Sequence, residues 1–143
     1  MIGQRKEAGV TFLKKVESLA ITQYPEAQFI TDKKTVNKGV IVRARRISGD
    51  VADQKAFSLY RIDIKCSSNE ECIADDILDA ILLGLHLSTE QPIIQGFIAL
   101  CDIEGNPLGD HIRITPNGSR LYQEITGDVG KYHLQMTLRV YHD

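Results

Sequence analysis

Residues 57–85 read FSLYRIDIKCSSNEECIADDILDAILLGL, and this stretch decides the fold. In its first part Tyr60, Ile62, Ile64 and Cys66 fall on one side of an extended chain, and Leu59, Arg61, Asp63 and Lys65 on the other. That period-two pattern belongs to a strand with one buried and one wet face, the habit of antiparallel sheets. Ser68 and Glu71 then have the spacing of a capping box, in which serine and glutamate satisfy orphan amides at a helix start. From Ile73 the period changes. Ile73, Ile77, Ala80, Ile81 and Gly84 follow one helical ridge, Leu78, Leu82 and Leu85 widen it, and Asp75, Asp76 and Asp79 are left opposite. The expectation is a strand feeding directly into an amphipathic helix over 70–87. Its apolar face is wide enough to be covered by a sheet and, on its flank, by another subunit.

Outward from this stretch the pattern extends in both directions. Upstream, Ala8, Phe12, Val16, Leu19 and Ala20 draw an apolar stripe at helical spacing, with Leu13 beside it, and Pro25 should end that helix. AQFITDK (27–33) is a short strand candidate. NKGVIVRARRI (37–47) is another, with Val40, Val42 and Ala44 on one face and Ile41, Arg43 and Arg45 on the other. The polar loop SGDVADQK (48–55) joins it to the strand after it as an antiparallel hairpin. Downstream, IIQGFIALCDI, HIRIT and RLYQEIT are extended, separated by the turn clusters EGNPLGD (104–110) and PNGS. After a further turn, KYHLQMTLRVYHD is the clearest strand, with Tyr132, Leu134, Met136, Leu138 and Val140 facing one way. His133, Gln135, Thr137, Arg139 and Tyr141 face the other. The coarse order α-β-β-β-α-β-β-β predicts one α+β domain over 1–143, a largely antiparallel sheet with two main helices on one face.

Composition narrows the function classes. The 143 residues carry Lys+Arg 17 against Asp+Glu 19, a net charge of -2, and hydrophobic residues make up 43%. A chain of that length buries roughly 70% of its unfolded surface, enough for a real core. The charge balance argues against a sequence-independent nucleic-acid binder. No apolar run approaches the ~20 residues of a membrane span, and MIGQRKEAGVTFLKKVE lacks the apolar stretch of a secretory signal. Cys66, Cys72 and Cys101 cannot all pair within one chain, which favours free thiols in a reducing cytoplasm.

No constellation announces catalysis. His86, His111, His133 and His142 lack a second His or Cys at ligand spacing, so neither a metal site nor a cofactor is expected. The Asp75, Asp76, Asp79 run reads as a solvated helix face, because a hard cation needs more oxygens than one turn supplies. The cysteines have no identifiable base partner, and the glycine clusters match no phosphate loop. Arg43, Arg45, Arg46, Arg61 and Lys65 form a basic strip across paired strands. With no aromatic residue interleaved on that face, a stacking platform for single strands is not expected, and a salt-bridged surface or subunit contact is.

The order of elements resembles a known family. The FSLYRIDIKCSSNEE strand running into ECIADDILDAILLGL, the N-terminal helix with the polar hairpin, and the closing YHLQMTLRVYHD strand look like the tail-terminator (tail-completion) proteins of tailed bacteriophages. The resemblance covers most of the chain through order, length and pattern. It implies a structural, non-enzymatic virion protein of the tail or neck, assembled in the host cytoplasm. Such a protein forms a ring, typically a hexamer, that caps the tail tube and docks to head-completion or connector proteins. A sheath protein would be a further partner in a contractile tail, and DNA would only pass through the lumen.

A closed ring needs two different surfaces that meet head to tail. The candidates are the sheet face with Arg43, Arg45 and Arg61 and the acidic helix side with Asp75, Asp76 and Asp79, whose opposite charges would fix register. The loop 48–55 and the turn 104–110 are candidates for tube or connector contacts. The alternatives are another neck component, such as a head-completion stopper or minor capsid protein, a small-molecule enzyme or ligand-binding domain with a pocket, and an RNA-binding sheet.

Overall fold

Helix α1 (Arg5–Gln23) buries Ala8, Phe12, Val16 and Ala20, the stripe its spacing predicts. The helix ends two residues before Pro25, whose ring disfavours helical angles at Tyr24. The computed structural model describes residues 5–30, 39–47, 57–87, 96–102, 104–124 and 131–141. The proposed loop 48–55 lies outside the described residues.

Strands β1 (Gln28–Ile30), β2 (Ile41–Ile47), β3 (Phe57–Ser67), β4 (Gly96–Cys101), β5 (Pro107–Pro116), β6 (Leu121–Glu124) and β7 (Lys131–Tyr141) form one curled, mixed sheet. Its order is β1-β2-β3-β7-β5-β4, with β6 also pairing β7. Only β1 and β2 run parallel; the other described pairings are antiparallel, including the β2–β3 hairpin. The protein is therefore α+β, with helix α2 (Glu71–Gly84) as the second helix.

Four strands follow α2, one for each of the four extended segments of the sequence there and one more than the coarse order counts. β5 leaves β7 after Pro116 pairs with Leu138, and β6 resumes along the same edge where Leu121 pairs with Gln135. Asn117–Gly118 makes the interruption, with Gly118 at φ 100, a backbone state other residues rarely adopt. The 104–110 cluster is likewise not all turn, since strand already begins at Pro107.

The capping box also falls one residue earlier than the spacing suggests. The Ser67 N–H donates to Glu70 Oε1 at 3.2 Å, and the Ser67 hydroxyl lies 2.6 Å from the same oxygen. A single 3-10 turn, Ser68–Glu70, intervenes before α2 starts. At its far end α2 closes with paired reverse bonds, Leu87 N–H to Leu82 O at 2.9 Å and His86 N–H to Leu83 O at 3.0 Å. His86 occupies the left-handed position of this cap, φ 61, where glycine is the usual residue.

One continuous core runs through these elements. Ile62, Ile64, Leu134, Leu138 and Ile114 from the sheet meet Phe12 and Val16 of α1 and Ile77, Leu78 and Ile81 of α2. Phe12 and Tyr60 rings tilt together at 5.0 Å. Both helices thus cover the face of Tyr60, Ile62 and Ile64, and the odd-numbered residues of β3 point away from them.

Candidate functional site: the far sheet face and a cleft at its edge

Register builds the far face row by row. Arg43 stands opposite Asp63, Arg45 opposite Arg61, and Ile41 opposite Lys65 across β2–β3. Across β3–β7, Asp63 meets Gln135, Lys65 meets His133, Leu59 meets Arg139, and Phe57 meets Tyr141. Like charges at Arg45 and Arg61 would repel at that spacing. Arg61 relieves this by donating from Nε to Asp63 Oδ2 at 3.1 Å.

Asp63 is the centre of the face and is only 3% exposed, although it lies on the side the helices leave open. Its other oxygen is 2.8 Å from His133 Nε2. Burial pushes the Asp63 carboxyl up, but the His133 hydrogen bond and the Arg61 charge outweigh it, and the net pKa lies below the usual carboxylate value. Arg45 has its Nε buried without a hydrogen-bond partner among the described residues.

The far end of this face, beyond the basic strip, is aromatic. Phe57 and Tyr141 rings lie 5.2 Å apart. The Arg113 guanidinium sits 3.9 Å from the centre of the Tyr141 ring, and Arg139 sits 5.8 Å from that of Phe57. Both are cation–π arrangements. Arg139 also donates to Asn117 Oδ1 at 2.7 Å, tying β7 to the break after β5. The alternation of 131–141 places Arg139 and Tyr141 on one face, but only the register of β7 against β3 and β5 brings Phe57 and Arg113 to them.

Asp75, Asp76 and Asp79 lie on the outer side of α2, and two of them are already engaged within the chain. Arg120, from the break between β5 and β6, donates Nη1 to Asp75 Oδ1 at 3.1 Å and Nη2 to Asp79. The Tyr122 hydroxyl adds a bond to Asp75 at 3.2 Å. Asp76 is exposed. Arg120 had no sequence signal, since it lies in a turn and its partners are 45 and 41 residues away.

A second feature lies where α1 meets the edge strand β4. The Thr11 hydroxyl donates to Cys101 O at 3.0 Å and accepts from Cys101 N–H at 3.1 Å. A helix side chain thereby satisfies backbone groups that an edge strand would expose. Beside this clasp opens a cleft of about 570 Å3, lined by residues of α1, β4 and β5 and by His86. Among the described residues no group of His, Cys, Asp or Glu side chains is arranged to hold a metal ion, and no helix is long and apolar enough to cross a membrane. No family model matches the chain, and no curated protein matches its sequence.

Proposed function

We propose that the chain is a structural subunit that assembles head to tail into a ring, typically hexameric, which closes the tail tube of a tailed bacteriophage and joins it to head-completion proteins. The observation that supports this reading is the far sheet face. It carries Arg43, Arg45, Arg61 and Arg139 half-buried with the Phe57–Tyr141 pair, and neither helix packs over it. Arginine and aromatic residues presented together are the side chains that interfaces favour. The complementary surface is the outer side of α2, where Asp76 is exposed while Asp75 and Asp79 are held by Arg120. In this reading the protein works by shape in the virion neck, without catalysis, and DNA passes through the lumen without being held.

The test is the absolute mass in solution with negative-stain images, for the native chain and for Arg43→Glu/Arg45→Glu, alone and with purified tail tubes. Rings of the native chain that the double variant does not form support the proposal. Tube-dependent assembly supports it equally. A native monomer that ignores tubes sinks it, and rings that survive the double reversal sink the charge pairing. A ring that binds connectors but not tubes would place the chain elsewhere in the neck, as a stopper.

A second reading has its own observation. Arginines beside aromatic rings on a sheet face are also what single-stranded nucleic acid uses, and here they flank the tilted Phe57–Tyr141 pair. Salt-sensitive binding of a single-stranded oligonucleotide, lost in Phe57→Ala, would favour it over the ring.

A further inference from the structure

The cleft between α1 and β4 has a composition that neither the ring reading nor the core explains. Thr11, Lys14, Lys15 and Ser18 line one wall. They stand at i, i+3, i+4 and i+7 of α1, so they share a helical face beside the buried stripe. His111, opposite Ala99 on β5, and His86 bring two imidazoles to the same space. His86 is held in a left-handed conformation that a glycine would adopt more easily, and such outliers gather at functional positions.

Asp102 also lines the cleft and stays ionised, its carboxyl held below the usual range by the Asn106 backbone N–H. Its carboxylate accepts from the backbone N–H groups of Asn106 and Glu104 at 2.9 Å each and from Asn106 Nδ2 at 3.2 Å. Beside that one carboxylate, the lining gathers the ammonium groups of Lys14 and Lys15, two imidazoles and two hydroxyls in a chain whose net charge is -2. Part of its lining is apolar. Phe97 is 46% exposed there, with Ile98 and Ala99 beside it. A volume of about 570 Å3 falls within the usual range for small-molecule sites.

We propose that this cleft binds a small phosphomonoester with a flat apolar body, the phosphate meeting Lys14, Lys15 and His111 and the body lying on Phe97 and Ala99. A phosphomonoester suits this lining because it brings about -1.5 to -2 charges and three acceptor oxygens to two ammonium groups and an imidazole. The site does not depend on the ring reading, because its residues lie at the β4 edge and not on the Arg43–Arg61 strip.

Adenosine monophosphate is the probe, with adenosine and inorganic phosphate alongside, followed by calorimetry and amide chemical shifts. The expected result is saturable binding of the monophosphate with shifts confined to 97–101, 111 and the middle of α1. It should also slow alkylation of Cys101, read peptide by peptide. Lys14→Glu/Lys15→Glu, both at exposed positions, should keep the native circular dichroism and weaken binding by roughly tenfold or more. Absence of those shifts, or unchanged affinity in the double variant, overturns the proposal. Inorganic phosphate binding as tightly as the monophosphate overturns the role given to Phe97. The oligomeric mass, measured on the same samples, reports separately on the ring.

Discussion

Asp63 on β3 and His133 on β7 lie 70 residues apart in the chain and 2.8 Å apart in the fold, on the sheet face opposite α1 and α2. The carboxylate is 3% exposed, and Arg61 holds its second oxygen. A charge so enclosed is kept by its partners. Asp63→Asn should leave Arg61 and His133 without their anion and lower stability by about 1–3 kcal/mol at neutral pH, read by urea unfolding.

The same pair sets an acid dependence with a defined sign. The folded pKa of Asp63 lies below the unfolded value, which is about 3.9. Its contribution is therefore present above the unfolded pKa and lost as pH falls through the folded one. The stability gap between the native protein and Asp63→Asn should be wide at pH 7 and close in strong acid. A gap that stayed constant would show that Asp63 acts by shape alone.

Thr11→Val keeps the shape of the side chain and removes the hydroxyl that joins α1 to Cys101. It should cost about 1–3 kcal/mol, since a backbone donor and acceptor lose their partner together. Amide hydrogen exchange at Cys101 should rise more than at Ile62 in the sheet centre.

Gly96 faces the end of α2 so closely that an added Cβ would overlap the Leu85 carbonyl. Gly96→Ala should destabilise by about 1–3 kcal/mol, because backbone rather than a flexible side chain must move. His86→Gly should do the reverse and raise stability by about 0.5–1 kcal/mol in thermal unfolding, by relieving the left-handed cap.

Burial pushes the Cys66 thiol up to about 11. At mildly alkaline pH, alkylation followed by peptide mass spectrometry should modify exposed Cys72 well before Cys66, since the thiolate is the reacting form.

How much of this was legible follows from the range of each signal. The strand over 57–67 and the closing strand carry their fold in two-residue alternation, a local property, and both stand where the pattern puts them. Helix α2 is equally local, although two consecutive serines leave its capping box open to a shift of one residue. The break between β5 and β6 is marked by Asn117–Gly118, yet only pairing with β7 shows that the chain resumes on the same edge. The Arg120 clamp and the cleft wall of Lys14 and His111 are set by tertiary approach between distant segments, and no window of sequence contains both partners. That is why Arg43, Arg45 and Arg61 could be placed on one face in advance, while Asp63–His133 could not.

β7 carries a consequence for the history of the chain. In the sheet it lies between β3 and β5, and in sequence it follows every other described element. On the ribosome, β1–β3 with α1 and α2 emerge first and β4–β6 later, and the strand that joins these two groups arrives after both. Until then β3 presents an open edge eleven residues long, from Phe57 to Ser67, to any chain that can pair with it. The nascent protein should therefore hold its closest resemblance to an aggregation seed in the moments before β7 leaves the ribosome.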